Sequence, residues 1–300
     1  MLNFAFLNLT NMQFPETELI ITDKNNVYHL DINEEHIADD VILVGDQGRV
    51  EQISKLFSKV ECKVQHREFV THTGWFNGKR ISIISTGIGP DNIDIVINEL
   101  DAAVNIDLKT RTLKPKMRSL NIVRLGTSGA LQADIPVNSL VVSQYGLGLD
   151  GLLNYYADYK SINEDFISDT FMKHTNWTAN LPYPYCVKAD DILFKKFAEG
   201  NPTGITATAP GFYGPQGRQL RLKAAKPNLN ELLTDFNSNG LRITNFEMET
   251  SALYGLGKLL NHKCLTVCVI IANRITKQFT TDYKKSVEHL ITNSLERLTT

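Results

Sequence analysis

The chain has 300 residues, a formal net charge of −2, 42% hydrophobic residues and 21% charged residues. That balance excludes a general polyanion or anionic-membrane binder, which needs a basic excess, so any anion bound here must be gripped by local arginines. No run approaches the ~18 apolar residues of a membrane span, and a compact chain of this length hides roughly three quarters of its unfolded surface, enough core without disulfides or a structural metal.

The opening "MLNFAFLNLTNMQF" is mildly apolar but lacks a basic leader and a long apolar centre, so it does not read as a signal peptide. "DDVILVGDQGRVEQISKLF" reads as a strand, a glycine turn and an amphipathic helix with Val50, Ile53, Leu56 and Phe57 on one face. "KRISIISTGIGPDNIDIVINELDAAV" repeats the plan. The basic stretch 107–121, "DLKTRTLKPKMRSLN", interrupts it and reads as a solvated surface connection. "LNIVRLGTSGALQADIPVNSLVVSQYG" resumes it as far as a third glycine turn. In "NFEMETSALYGLGKLL", Glu247 and Glu249 flank Met248 at the start of an apolar helix. Acidic side chains there gain ~0.3–1 kcal/mol from the helix dipole, so helix chemistry alone can account for them. "CLTVCVIIANR" reads as a buried strand whose Cys264 and Cys268 match no common zinc spacing. With Cys62 and Cys186 these are four scattered cysteines, which suits a reducing cytoplasm. Helical periodicity returns from Tyr283 onward. Alternating strands and helices imply a largely parallel sheet covered on both faces. No linker, tandem repeat or low-complexity tract divides the chain, so a single domain over 1–300 is expected.

Three strands are therefore expected to end in glycine turns, at Gly45–Gly48, Gly87–Gly89 and Gly126–Gly129. In a parallel sheet such turns gather at the carboxyl edge, where backbone N–H groups and helix N-termini can meet an anion. Arg49 follows the first turn, Arg124 precedes "LGTSG", and Arg67 sits in "HREF". A guanidinium holds a tetrahedral oxyanion through paired donors, each charge-assisted bond contributing ~1.5–3 kcal/mol. Thr127 and Ser128 add hydroxyls. Taken singly, any of these arginines could equally pair with a surface carboxylate. Gly87 and Gly89, with Asp107 about twenty residues later, echo a dinucleotide fingerprint, but Asn92 stands at its third glycine.

Read together and in order, "GDQGR", "HREF", "STGIG", "RLGTSGALQ", "GFYGPQGR", "NFEMETSAL" and "IIANR" resemble the uridine phosphorylases of the first nucleoside phosphorylase family, from Tyr28 to Arg274. The resemblance implies a three-layer α/β/α fold around a central mixed, partly barrel-like sheet. It makes 1–27 an N-terminal extension and 105–120 a surface insertion. It implies a pentosyltransferase that converts uridine and inorganic phosphate reversibly to uracil and ribose 1-phosphate without a cofactor. The phosphate pocket maps onto Gly45, Arg49, Arg124 and Thr127, with Arg67 reaching in from a neighbouring subunit. His29, in "VYHL", matches the histidine a partner lends to the ribose 5′-hydroxyl, so a homo-oligomer with a shared site is implied. Glu247, Met248 and Glu249 map onto the ribose segment, with Glu249 the stronger candidate for the 2′- and 3′-hydroxyls. Phe212, Gln216, Arg218 and Arg274 map onto the base pocket. By the same resemblance, Arg124, Gln216, Arg218 and Glu249 are expected to carry the chemistry.

A purine-specific relative would place an aspartate near Asn273 and Arg274, and here there is none. Gln47 replaces the usual proline of the first loop. Glu68 matches a ligand of an interfacial monovalent cation, but Asn92 replaces its usual serine, so no metal is assigned. The residues after Arg218 also drift from the family pattern. The alternatives are shifted specificity towards thymidine, deoxyuridine or a purine nucleoside, a nucleosidase using water, and a catalytically silent nucleoside binder.

Overall fold

The computed structural model describes residues 13–300; the stretch weighed as a signal peptide lies, through residue 12, outside the described residues. The chain divides into two compact units, the first of residues 13–87 and 94–121, the second of 88–93 and 122–300.

In the first unit, β1 (Asp40–Val44) is buried along its whole length. It pairs in parallel with β4 (Lys79–Ser85), which continues antiparallel through β3 (Phe69–Phe76) to β2 (Lys59–His66). Asp46 starts α1 (Gln47–Ser54) by accepting the Gly48 N–H at 2.9 Å, as a helix cap does. Val50 and Ile53 are buried as expected, but the helix stops at Ser54. Leu56 therefore falls beyond the last turn, leaves the apolar face and is exposed. Gly87 and Gly89 take φ of 73° and 103°, which glycine adopts without strain. They deliver the chain to α2 (Pro90–Asn105), whose proline tolerates the first helical position because no N–H partner is needed there. The basic stretch is more than a solvated connection: β5 (Ile106–Asp107) and β6 (Thr112–Leu113) pair as a hairpin, with Leu108 and Leu120 buried. Arg118 pairs with Asp39 at 2.7 Å.

The second unit contains β7 (Asn121–Ala130), β8 (Leu140–Gly148), α3 (Asp165–Thr175), β9 (Tyr185–Lys188), α4 (Asp191–Ala198) and β10 (Thr203–Thr208). It continues with α5 (Leu229–Asp235), β11 (Asn237–Ser238), β12 (Leu241–Glu247), α6 (Thr250–Leu259), β13 (Lys263–Asn273), β14 (Gln278–Phe279) and α7 (Tyr283–Thr299). Strands β12, β10, β8, β13 and β7 are neighbours in that order, and β7 pairs back onto β12 through Ala130–Asn245 and Gly129–Phe246, closing a ring. This is the mixed, partly barrel-like sheet that the resemblance implies. The expectation of a largely parallel sheet is corrected. Strand β10 runs parallel to β8 and β12, whereas β13 on β8 and β12 on β7 are antiparallel. Alternation of strands and helices does not register a chain that crosses the ring and returns. Inside it, Ser143, Thr206, Asn245 and Ser128, one from each of four strands, form an unbroken buried hydrogen-bond chain. Outside, Leu147, Phe171, Ile205, Phe236 and Phe246 belong to an apolar core beside α3 and α5. No described helix is long and apolar enough to cross a membrane.

The third glycine turn is also corrected. Strand β7 runs straight through Gly126 and Gly129 and ends at Ala130. The glycines serve close approach. A Cβ on Gly126 would meet the Arg124 guanidinium and the Cys268 sulfur, and one on Gly129 would touch the Arg274 stem at 3.6 Å. Gly126→Ala is accordingly expected to destabilise the protein by about 1–3 kcal/mol in urea unfolding, as overpacking does. Gly214→Ala, with nothing within 4 Å of the added carbon, is the control expected to stay near wild type. Equal stability of the two variants would refute the close-approach role.

Candidate active site

The junction of β12 and α6 is short. The strand ends at Glu247, Met248 is half-buried, and Glu249 precedes the first helical residue, Thr250. The two carboxylates have different tasks. Glu247 accepts the N–H groups of Glu249 at 2.9 Å and of Thr250 at 3.0 Å, so it performs the helix capping that the sequence suggested. It also accepts the Thr208 hydroxyl at 2.8 Å and faces Arg124 Nη1 at 3.1 Å. Glu249 caps nothing. It accepts the Gly89 N–H at 2.9 Å and pairs with Arg124 Nη2. A carboxylate offers about four acceptor positions. Those of Glu247 are all engaged, while Glu249 keeps spare capacity.

Arg124 lies between them, only 4% exposed, on β7. Its Nη1 also approaches Cys268 Sγ at 3.7 Å, and its buried Nε has no hydrogen-bond partner. Thr127, directly after Gly126, is half-buried, and Ser128 is buried and accepts the Asn245 amide at 2.9 Å.

The loop after β10 holds the base-side candidates. A 3-10 turn over Gly214–Gln216, with Pro215 as its second residue, buries Gln216 and leaves Phe212 and Tyr213 exposed. Arg218 donates to Gln216 Oε1 and to Phe212 O, both at 2.6 Å, and its guanidinium carbon lies 3.8 Å from the centre of the Phe212 ring. Arg274, just past β13, donates to Gln216 O at 3.1 Å. These four residues are thus brought together. Burial and the charge of Arg274 depress the Arg218 guanidinium to about 10. Asn273 is committed to backbone groups, donating to Gln132 O and Ile135 O and accepting from Ile275 and Thr276. Behind the loop, a cleft of about 770 Å³ is lined by Trp177, Leu220 and Leu222 and shares Tyr213 and Arg218.

The remaining candidates lie in the first unit. Gly45 follows β1, where an added Cβ would lie 3.3 Å from the Gly87 carbonyl oxygen, and Arg49 is buried in the first turn of α1. Arg67, at φ 53° in the β2–β3 turn, lies over Tyr28, with 5.4 Å from its guanidinium to the ring centre. His29 is adjacent: its ring Nδ1 meets Glu99 at 2.5 Å, and its carbonyl faces His66 Nδ1 at 3.0 Å. Arg67 and His29, the two residues that the resemblance gives to a neighbouring subunit, therefore share one patch. Gln47, the departure from proline, donates its amide to the Arg67 carbonyl at 3.3 Å.

A model of the phosphorylase superfamily matches residues 39–300. A uridine phosphorylase of Thermococcus kodakarensis is 30% identical over 275 residues, covering 89% of this chain and 84% of that protein. The chain belongs to the phosphorylase superfamily. The crystal structure of a Trypanosoma brucei nucleoside phosphorylase, described as showing uridine phosphorylase activity, matches with a TM-score of 0.84 at 30% identity and covers 93% of this chain and 99% of that one. A DeoD-type purine nucleoside phosphorylase of Thermoanaerobacter is 24% identical over 271 residues, covering 89% of this chain and 97% of its own.

Two groups in this superfamily member escaped the sequence reading. Glu99 binds the N–H groups of His29 and Leu30 as well as the His29 ring, and its only signal is a carboxylate bordering the apolar stripe of α2. Thr208 left no signal, since a threonine ending a strand is ordinary.

The buried triad is short of positive charge, with two carboxylates on one guanidinium. Burial alone would lower Arg124, but Glu249 and Glu247 more than reverse that, and its pKa is raised. The deficit falls on Glu249, which has fewer donors. Burial pushes it up, Arg124 pulls it down, Glu247 pushes it up again, and it settles at about 7 against an ordinary 4.5. A carboxyl raised on folding binds its proton more tightly in the native state, so its stabilisation is full below the ordinary value and lost as pH rises through the folded one. The unliganded protein should therefore lose on the order of 1–3 kcal/mol between pH 4.5 and 7 from this group. Urea unfolding across that range should show a shallower decline in Glu249→Gln, and an unchanged slope would reject the assignment.

Proposed function

We propose that the protein catalyses reversible phosphorolysis of uridine, giving uracil and ribose 1-phosphate. The observation that supports this best is a buried guanidinium, Arg124, set beside a carboxylate with spare acceptor capacity and held in the same unit as a base loop bearing Gln216, Arg218 and Arg274. An oxygen of phosphate attacks C1′ of the ribose while the C1′–N1 bond breaks and its electron pair leaves with uracil. The transition state has oxocarbenium character, and phosphate supplies both the balancing charge and the new bond, so no side chain need become covalently attached. Arg124 with Thr127 holds the anion. Glu249 accepts from the 2′- and 3′-hydroxyls, beside Met248.

Uracil departs as an anion spread over its carbonyl oxygens. Gln216, Arg218 and Arg274 put donors and positive charge where that charge grows, a preorganised field that contributes several kcal/mol in enzymes of this logic (~2.7–4 kcal/mol for one donor). Fixing phosphate, sugar and base together supplies the positional part of the acceleration. Phosphate is the co-substrate and no organic cofactor is required. The shared patch of Arg67 and His29 supports a homo-oligomer whose sites take both residues from a partner, working in the cytoplasm in nucleoside salvage or breakdown.

The purine-phosphorylase likeness favours one second reading, a shifted base preference. Incubation with uridine, thymidine and inosine, with and without phosphate, decides between them. Phosphate-dependent uracil release is expected, inosine cleavage at a higher rate selects the second reading, and base release without phosphate overturns both. Arg124→Ala should lower kcat/KM by about 10²–10³-fold, the scale of losing a charge-stabilising donor. Near wild-type turnover in that variant would remove Arg124 from the anion site. Mixing Arg67→Ala with Arg124→Ala protomers should restore activity above either variant alone, because hybrid assemblies regain one intact site. No recovery on mixing would reject the shared site.

A further inference from the structure

We propose that Thr208 is a positioning residue of this site: its hydroxyl commits Glu247 to holding Arg124 and the start of α6, and so leaves Glu249 as the carboxylate that meets the sugar. The proposal rests on the phosphorolysis reading but concerns a residue that reading does not use.

Thr208 is the last residue of β10 and is fully buried. Its Oγ1 donates to Glu247 Oε1 at 2.8 Å and accepts the Ser251 N–H at 3.0 Å. One hydroxyl therefore links the end of a ring strand to both sides of the β12–α6 junction. Ser251 is itself fixed. Its Oγ donates to Asp150 Oδ2 at 2.9 Å, and the Tyr185 hydroxyl donates to the same carboxylate at 2.8 Å. Gly146 on β8 lets the Ser251 backbone approach so closely that an added Cβ would lie 2.9 Å from its Cα. The first turn of α6 is thus held by a polar network from β9, β10 and Asp150, just after β8.

The consequence reaches Arg124. Glu247 and Glu249 both face one guanidinium, and either could accept from Nη1 or Nη2. With the Thr208 hydroxyl and two backbone N–H groups directed at it, Glu247 cannot turn towards a sugar without leaving buried donors unsatisfied, which is costly in a low-dielectric interior. Glu249 has one backbone donor, Gly89, and can exchange partners at lower cost. Thr208→Val keeps the shape, removes the hydroxyl, orphans the Ser251 N–H and frees Glu247 to compete with Glu249. Thr208→Ser keeps the hydroxyl.

The test measures kcat and KM for uridine and 2′-deoxyuridine in wild type, Thr208→Val, Thr208→Ser and Glu249→Gln, together with the rise in Tm on adding inorganic phosphate. Thr208→Val should lower kcat/KM for uridine by about 10–100-fold, the scale of a misplaced reacting group, and for 2′-deoxyuridine by less, because the competing carboxylate disturbs recognition of the 2′-hydroxyl. Thr208→Ser should recover to within about threefold of wild type, below that displacement scale. Glu249→Gln should narrow the preference for ribose over deoxyribose in the same direction. A folded Thr208→Val with wild-type kinetics, or one that loses the same factor on both nucleosides, overturns the proposal. If wild type releases no base with phosphate, the phosphorolysis reading fails by itself. The phosphate-induced Tm rise then decides: loss in Thr208→Val with retention in Thr208→Ser sustains the positioning role, and equal rises overturn it. A wild type indifferent to phosphate in both readouts overturns both.

Discussion

One buried cation orders the chemistry of the second unit. Arg124 is fixed by two carboxylates from a single strand–helix junction, Glu247 and Glu249, and all three groups are almost fully removed from solvent. Breaking a buried pair by deleting one partner leaves an uncompensated charge, which typically costs about 3–5 kcal/mol. The surrounding structure is built to prevent that. Gly126 makes room for the guanidinium against the strand, Gly89 supplies an N–H to Glu249, and Thr208 supplies a hydroxyl to Glu247. The unpartnered Nε is the exception. A buried hydrogen bond is costly to leave unmade, and in the anion-holding role proposed for Arg124 that donor is where a ligand oxygen would gain most.

The ring explains why these groups can be so near one another. Strands β7, β10, β12 and β13 all contribute to it, and three of them release candidate groups at or near their ends: Thr208 from β10, Glu247 from β12, Arg274 after β13. Closing the sheet brings strands that are distant in sequence side by side, as the pairing of Gly129 with Phe246 shows. The polar thread of Ser143, Thr206, Asn245 and Ser128 fixes the register of four strands at once. A fully satisfied buried network of this kind specifies one arrangement, where an apolar interior would tolerate sliding.

The periodic elements were legible in the sequence because their signal is local. The buried run of β1, the faces of α1 and α2 and the periodicity of α7 depend on residues a few positions apart. The glycines of 126–129 misled because glycine has two uses. At Gly87 and Gly89 it permits positive φ, and at Gly126 it permits close approach, and spacing alone does not separate them. Leu56 misled because a helical stripe continues on paper past the residue where the backbone stops being helical. The pair Glu247 and Glu249 was legible as a pair, yet the division of labour between them depends on Thr208 and Gly89, which lie 39 and 160 positions away from their respective partners. Such partners are set by tertiary folding and carry no sequence period.

The base side carries a constraint of its own. Arg218 lies across the Phe212 ring and holds the side-chain oxygen of Gln216, so two groups suited to a planar base are engaged with each other. A guanidinium stacked on an aromatic ring is held by ~0.5–2 kcal/mol. Under the proposed function, a pyrimidine packing on the same face would displace it and would meet the displaced cation at its carbonyl edge. The guanidinium leaves one partner and meets another with the same N–H groups, so the net change is small when the base offers an acceptor there. It is unfavourable when the base offers only a donor. For the proposed function, a preference for an oxo-substituted ring would follow from this loop, because a guest lacking acceptors would displace the Arg218 guanidinium without offering it a new partner.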